Sequence, residues 1–217
     1  MSSPIIDAKT LETASNIQVF NGKGEKVRFG DIFANQKGVV VFIRHFFCGQ
    51  YVSQLTTVRE DALKEASAKI VLVGCGDWAL IENYKKDTDF KGDVYANPDR
   101  KLYDTLGMIS NLNSTPKGED KRSYVKRSML NVTLWSIWRG PLKSPSHIGK
   151  QGNISQNGGD FVFGPGMHLI AISSTAHTRL TMASPLGLAC SYSSRMKHTE
   201  DHVEVADLMK AVGVTYP

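Results

Sequence analysis

The sequence predicts an α/β domain in which helices cover both faces of a central mixed sheet. Two continuous apolar runs rich in β-branched residues, 38–43 and 69–74, are typical of strands buried on both faces, as in a parallel sheet. Helical patterns lie between these runs and a short third strand at Val94 and Tyr95. The alternation of strands with helices indicates βαβ units and therefore a parallel core.

The first half of the chain is further divided by turn and capping signals. Residues 17–20 and 26–29 flank Asn21-Gly22 and predict a β-hairpin. The apolar spacing after residue 49 predicts one helix over 50–67, and a second helix passes through Trp78 and Tyr84. Asp99 is expected to N-cap a helix that ends before Gly107. Residues 1–14 are assigned to a tail, and a single domain is expected over 15–217.

The second half is less regular. Residues 110–122 read as a loop and residues 124–138 as a helix that contains Trp135 and Trp138. A strand is predicted over 160–163, with a turn at 164–166. The closing helix carries its apolar face on residues 205–212, and Thr199-Glu200-Asp201 signals its start, with Asp201 in the first turn.

Composition excludes several classes of protein. Hydrophobic residues make up 41% and charged residues 22% of the 217 residues, as in an ordinary globular protein. No run of about 18 apolar residues predicts a membrane span, and residues 1–11 lack the apolar stretch of a secretory signal. The net charge is +5, but the basic residues are scattered, so nucleic-acid binding is not expected. Three cysteines favour a reducing, cytoplasmic location over a disulfide scaffold.

Cys48 is the best candidate for a chemically active residue. It lies between a buried strand and an amphipathic helix, a junction that a βαβ crossover places at the carboxyl edge of the sheet. We expect the helix N-terminus to lower the pKa of its thiol, with Arg44 and His45 adding positive potential. A thiolate there suits thiol redox chemistry. Position alone leaves an inert, buried cysteine open as the alternative.

Two other cysteines are weaker candidates. Cys75 follows the strand 69–74, which we expect to pair in parallel with 38–43, so Cys75 and Cys48 leave the sheet at the same edge. A disulfide would need Cα atoms within about 7 Å, and a buried small hydrophobe is the favoured alternative for Cys75. Cys190 is a weaker candidate still.

No metal or cofactor is predicted. The histidines of the segment His198-x-Glu200-Asp201-His202 are spaced as two ligands on a helix, but no third ligand is implied, so a capping and surface role is favoured. Gly74-x-Gly76 is too short for a dinucleotide-binding fingerprint.

Several motifs resemble the AhpC/TSA antioxidant-domain, peroxiredoxin-like proteins of fungal and animal type. The motifs are Phe-Ile-Arg-His-Phe-Phe-Cys-Gly at 42–49 with Tyr-Val-x-x-Leu at 51–55, Trp-x-x-Trp-Arg-Gly-Pro-Leu at 135–142, and later segments at 156–159, 163–166 and 198–202. They occur in the same order over about residues 15–214. The resemblance implies a thioredoxin-like fold, an antioxidant or oxidoreductase role, and a small thiol or thioredoxin-type reductant as partner.

The chain departs from that family pattern at the candidate site. Members usually carry Cys-x-x-Cys, but Tyr51 stands where the second cysteine would be. The peroxiredoxin loop Pro-x-x-x-Thr/Ser-x-x-Cys is also absent before Cys48. Two functions follow as hypotheses. One is a thiol-dependent oxidoreductase using Cys48 and Arg44, with Cys75 or an external thiol as the resolving group; the other is a non-catalytic scaffold or binding module.

Residues 167–187 interrupt the family pattern. They contain no Asp, Glu or Lys, unlike the rest of the chain. Without them, residues 161–166 would continue directly into 188–192 as two strands of a hairpin. The segment is interpreted as an insertion or a retained intron, and a genuine long hairpin loop remains the alternative.

Overall fold

The computed structural model describes residues 6–128, 149–165, 171–172, 179–180 and 188–216. Within these ranges a seven-stranded sheet has the order β2-β1-β5-β4-β3-β6-β9. Its strands are β1 (Gln18–Phe20), β2 (Lys26–Arg28), β3 (Lys37–Phe42), β4 (Ala68–Gly74), β5 (Asp93–Ala96), β6 (Gly159–Pro165) and β9 (Leu188–Arg195). Two further strands, β7 (Ala171–Ile172) and β8 (Arg179–Leu180), pair only with each other.

The centre of the sheet is parallel, as the sequence predicts. β3 pairs with β4 in parallel, with Val39 opposite Ile70, and β4 pairs in parallel with β5. On the other side of β3, β6 runs antiparallel, so the sheet is mixed. Alternate residues of β3 enter two separate cores: Val39 and Val41 face one, and Val40 and Phe42 the other. These strands are therefore buried on both faces, which confirms the reading of their continuous apolar runs.

Helices cover both faces of this sheet. One core is closed by α2 (Gln50–Leu55), α3 (Glu60–Glu65), α4 (Ile81–Thr88), α6 (Ser123–Ser128) and α7 (Val205–Val212). The other, called the second core below, is closed by α1 (Ala8–Asn16), a 3-10 helix (Phe29–Phe33) and α5 (Lys101–Thr105). Apolar side chains on each helix supply the contact, since a sheet that is apolar on both faces must be covered twice. The predicted layer arrangement is confirmed.

The helix predicted over 50–67 is wrong in one respect, because the structure divides it into α2 and α3. The break between the two helices contains three consecutive β-branched residues, Thr56, Thr57 and Val58, which fit a helix poorly. The hydroxyls of Thr56 and Thr57 donate to the carbonyls of Ser53 and Gln54, at 2.9 and 2.7 Å. Arg59 is then extended and is the N-cap of α3, which begins at Glu60.

Three predicted element boundaries are corrected. Helix α5 begins at Lys101 with Arg100 as N-cap; Asp99 lies one residue earlier, although Gly107 does follow the helix with a positive φ of 74°. The closing helix begins at Val205 with Glu204 as N-cap, so Asp201 is outside its first turn. Strand β6 continues through Gly164 and Pro165, where a turn was expected, because both residues pair with β9.

The start of the chain is more ordered than a tail. Asp7 accepts the backbone N–H of Thr10 at 2.9 Å and caps α1, whose Ala14 is completely buried in the second core. Residues 8–14 therefore form part of a packed helix. Most of the predicted helix 124–138, with Trp135 and Trp138, lies outside the described residues.

The predicted terminal hairpin pairing is present. β6 and β9 are antiparallel neighbours, with Pro165 opposite Leu188 and a bulge between Val162 and Phe163. The ends of these strands thus meet on either side of segment 166–187. Most of that segment lies outside the described residues, and its origin as an insertion, a retained intron or a true loop stays a prediction.

The histidine segment near α7 is buried, which corrects the expected surface role. His198 is 8% exposed and His202 is 5% exposed. Asp201 instead accepts from Arg122 at 2.9 Å and from the backbone N–H of Lys197 at 3.1 Å. Within the described ranges there is no group of three metal-ligating side chains, and no helix has the length and apolar character to cross a membrane.

Candidate active site

Cys48 lies where the chain passes from the end of β3 to the start of α2. Its backbone N–H donates to the carbonyl of His45 at 3.0 Å. The hydroxyl of Tyr84, on α4, donates to the carbonyl of Cys48 at 2.7 Å. The residue is thus held by its own turn and by a neighbouring helix, and as a whole it is partly exposed.

Arg44 brings a permanent positive charge to this sulfur. Its Nη1 lies 3.8 Å from Sγ of Cys48, and its Nη2 donates to the carbonyl of Ile154 at 2.7 Å. The Nε is buried and has no hydrogen-bond partner among the described residues. The loop that carries Ile154 therefore fixes the guanidinium beside the thiol and leaves one N–H donor unpaired.

His45 approaches the same sulfur from within the turn. Its Nε2 is 3.3 Å from Sγ of Cys48, and its Nδ1 accepts the backbone N–H of Phe47 at 3.2 Å. Burial, with the nearby charge of Arg44, lowers the pKa of His45 to about 4. The imidazole is therefore neutral at pH 7, which corrects the expectation that it adds positive potential.

The pKa of Cys48 is raised, which corrects the sequence-based expectation that it is lowered. Burial is the main cause, and the charge of Arg44 and hydrogen bonds to the sulfur oppose it. The helix that follows contains only six residues, and its N-cap is Gly49, which offers no side-chain oxygen or nitrogen. The sequence gives the order of these groups along the chain but not how deeply the fold buries the sulfur.

Cys75 contacts the opposite end of Arg44. Its thiol donates to the Arg44 backbone carbonyl at 2.9 Å, while the Arg44 guanidinium faces Cys48. Cys75 is 2% exposed, and burial raises its pKa to about 11. Both thiols are free. The structure thus brings Cys48, Arg44 and Cys75 to one edge of the sheet, as the parallel strands predict, with Arg44 in contact with both sulfurs.

A loop that includes Lys150, Gln151 and Gly152 supports this site. The carbonyl of Gln151 accepts the N–H of Phe46 at 3.1 Å, and that of Lys150 accepts the N–H of Asp77 at 2.8 Å. Gly152 has a φ of +95°, and a Cβ there would lie 2.7 Å from Sγ of Cys75. Glycine is thus required for the loop to approach β4 so closely, and the glycines at 149 and 152 are the sequence signal for it.

Cys190 belongs to a different part of the molecule. It lies on β9, where its thiol donates to the carbonyl of Tyr192 at 3.1 Å, and burial raises its pKa to about 11. Cys190 is opposite Phe163, which pairs with Gly38 at the amino end of β3, whereas Cys48 follows the carboxyl end of that strand.

A buried polar pair lies beneath the first turn of α2. Nδ1 of His202 is 3.0 Å from a carboxyl oxygen of Asp160, which is fully buried on β6. The ring of Tyr51 stacks on the His202 imidazole, with centroids 4.3 Å apart and planes at 4°. The Asp160 carboxyl also accepts the N–H of Val203 at 3.1 Å. This pair therefore ties β6 and the segment before α7 to the helix that follows Cys48.

Comparison with known proteins assigns the family. The family model described as AhpC/TSA antioxidant enzyme matches residues 54–172, which is more than half of the chain. The chain belongs to the AhpC/TSA family. The matched segment contains Cys75 but begins after Cys48, so the match gives no information on Cys48.

Two relatives of this AhpC/TSA chain are similar to it over longer or shorter parts of its sequence. It is 31% identical over 174 residues to the peroxiredoxin-like 2C of Homo sapiens, a match that covers 77% of this chain and 74% of the relative. It is 28% identical over 127 residues to a protein of Arabidopsis thaliana described as thioredoxin-like protein AAED1, chloroplastic, covering 54% of this chain and 50% of the other.

The fold of this AhpC/TSA protein is that of the thioredoxin-like peroxiredoxins. A solved structure of a peroxiredoxin 6 mutant from Arenicola marina superposes with a TM-score of 0.51 and 14% identity, over 98% of this chain and 72% of that one. The mixed sheet covered by helices on both faces agrees with that likeness. The predicted fold class and family are therefore confirmed.

Proposed function

We propose that this protein is a thiol-dependent antioxidant oxidoreductase that uses Cys48 as its nucleophile. The observation that supports this most directly is that two side-chain nitrogens approach the sulfur of Cys48, a residue that is itself partly exposed. Arg44 Nη1 is at 3.8 Å and His45 Nε2 is at 3.3 Å. Donors and a positive charge around a thiol favour its thiolate form, which is the reactive one.

In the proposed reaction the Cys48 thiolate attacks the hydroxyl oxygen of a hydroperoxide. A sulfur–oxygen bond forms, the oxygen–oxygen bond breaks, and the departing alkoxide or hydroxide takes a proton from water. The cysteine is oxidised to sulfenic acid while the peroxide is reduced. The unpaired, buried Nε–H of Arg44 is the donor we assign to a substrate oxygen near the sulfur.

A thiol reductant completes the cycle. Its sulfur attacks the sulfenic acid to form a mixed disulfide and release water, and a second thiol then restores Cys48. We assign this role to a small thiol or a thioredoxin-type protein. Cys75 is the weaker candidate for the resolving thiol, because its S–H donates a hydrogen bond to the Arg44 carbonyl and its pKa is about 11. Three free cysteines also favour a reducing compartment, for which we propose the cytoplasm.

A non-catalytic scaffold or binding module is the second candidate function. Burial raises the pKa of Cys48, so the fraction of reactive thiolate at neutral pH is small. The residue three positions later is Tyr51, which cannot form a disulfide with Cys48. Both observations favour a protein that has the thioredoxin-like fold but does not reduce peroxides.

One labelling experiment separates the two functions. The purified protein is treated with hydrogen peroxide and a sulfenic-acid trap at pH 7 and at pH 9, and the labelled cysteine is located by mass spectrometry. An oxidoreductase gives an adduct on Cys48 that increases from pH 7 to pH 9, because the thiolate fraction rises as the pH approaches the elevated pKa. Cys48→Ser abolishes it.

Cys190→Ser is the matched control, since Cys190 is also partly exposed but lies near the opposite end of β3 from Cys48. This variant should label at Cys48 as the wild type does. Cys75→Ser tests the resolving role: if Cys75 resolves, the trapped sulfenic acid persists longer in that variant. An absence of any Cys48 adduct at both pH values, in folded protein, would establish the non-catalytic alternative.

A further inference from the structure

The hydrogen bonds around His45 determine which of its ring nitrogens carries the proton. The backbone N–H of Phe47 can only donate, so Nδ1 of His45, 3.2 Å away, must act as acceptor. A neutral imidazole carries one N–H. That N–H is therefore on Nε2, the atom 3.3 Å from Sγ of Cys48.

We propose that His45 is a fixed hydrogen-bond donor to the sulfur of Cys48 and not the base that removes its proton. The Phe47 amide occupies the lone pair of Nδ1, and the proton on Nε2 occupies the side that faces the sulfur. No lone pair of the ring is left to accept the thiol proton. His45 thus stabilises the thiolate once it has formed, and the proton leaves to solvent.

This arrangement differs from a cysteine–histidine ion pair, in which an imidazolium faces the thiolate. A second proton on His45 would have to displace the Phe47 N–H from Nδ1 while Arg44 stands nearby. The pKa of about 4 agrees with the cost of that step. The inference rests on the proposed function, because it matters for chemistry only if Cys48 reacts as a thiolate.

Other groups that act on this pair come from four neighbouring elements. Arg44 follows β3 and contacts the sulfur, and Cys75 follows β4. The hydroxyl of Tyr84 on α4 donates a hydrogen bond to the Cys48 carbonyl. Tyr103 on α5 is near enough for its ionised form to interact electrostatically with the Cys48 thiolate. Burial holds the pKa of Cys75 at about 11 and those of both tyrosines well above 10. Cys75 and the two tyrosines therefore do not titrate between pH 5 and pH 8.

The test compares the rates of Cys48 alkylation by iodoacetamide in wild type and variants from pH 5 to pH 10, with the alkylated residue located by mass spectrometry; below the pKa, the ratio of the two rates at one pH reports the pKa shift. The wild type should show one ionisation, that of the thiol, with no step near pH 6. His45→Phe removes the donor and should raise the apparent pKa of Cys48 by about one to two units, because a hydrogen bond to a charged group is lost. The rate at pH 7 then falls by about tenfold to a hundredfold.

His45→Gln is the rescue variant, since its amide is a donor that does not titrate. It should keep the wild-type pKa more closely than His45→Phe. His198→Gln is the matched control: His198 also accepts a backbone N–H on Nδ1, from Glu200 at 3.3 Å, but does not contact Cys48. Thermal unfolding of each variant confirms that it folds. In the wild type, nitrogen chemical shifts of the His45 ring report the tautomer directly.

The outcomes are distinct. An Nε2–H tautomer, with a raised Cys48 pKa only in His45→Phe, supports the inference. An Nδ1–H tautomer, a second ionisation near pH 6, or an unchanged pKa in His45→Phe overturns it while leaving Cys48 a reactive nucleophile. If Cys48 is alkylated at no pH although the Nε2–H tautomer is found, the proposed function fails and the hydrogen-bond assignment stands.

Discussion

Replacing Arg44 with methionine tests the electrostatic part of the site. Arg44→Met removes a charge 3.8 Å from Sγ of Cys48 while keeping an unbranched apolar side chain. Coulomb's law at this distance gives about 4 kcal/mol at an effective dielectric of about 20, and about 1 kcal/mol in bulk water. Since one pKa unit corresponds to about 1.4 kcal/mol, the pKa of Cys48 should rise by about one to three units.

The pH dependence of iodoacetamide alkylation measures this shift. Arg28→Met is the control, because Arg28 pairs with Asp31 at 2.8 Å on the surface and should leave the Cys48 profile unchanged. Arg44→Met also frees the carbonyl of Ile154, so a denaturant titration must show that the variant is folded. A folded Arg44→Met protein whose Cys48 pKa moves by less than about half a unit would refute the assigned role of the charge.

Three other predictions concern acid stability and packing. Lowering the pH from 6.5 to 4 should reduce the free energy of unfolding by about 2 to 3 kcal/mol through His45, because its imidazole binds a proton more readily in the unfolded chain than in the folded one, where its pKa is about 4. Urea titrations at both pH values should show this loss in the wild type and not in His45→Gln, and an equal pH dependence of the two proteins would contradict it. Gly152→Ala should destabilise by about 2 to 4 kcal/mol, since its φ is +95° and the new Cβ would meet Cys75; an unchanged denaturant midpoint would disprove this. Asp160→Ala should cost about 3 kcal/mol by leaving His202 unpaired in the core, and a melting temperature equal to that of the wild type would exclude it.

The sequence was most informative about the centre of the sheet. Strands β3 and β4 are continuous apolar runs, and such runs are stable only where both faces are covered, so their parallel pairing followed from the pattern alone. The hairpin at Asn21-Gly22 and the meeting of β6 with β9 followed in the same way from turn residues and short apolar runs. The sequence predicted helix boundaries less well, as at Thr56, because side-chain bonds to the backbone compete with the helix there.

The order of residues along the chain placed Cys48, Arg44 and Cys75 at one edge of the sheet, because parallel strands end at the same side. The tertiary structure decided their chemistry. Burial raises the pKa of Cys48, the Phe47 amide makes His45 a neutral donor, and a loop more than 100 residues away in sequence fixes Arg44 through Ile154. Proximity along the chain follows from covalent geometry, but protonation and orientation depend on solvent access and on partners that only folding brings together.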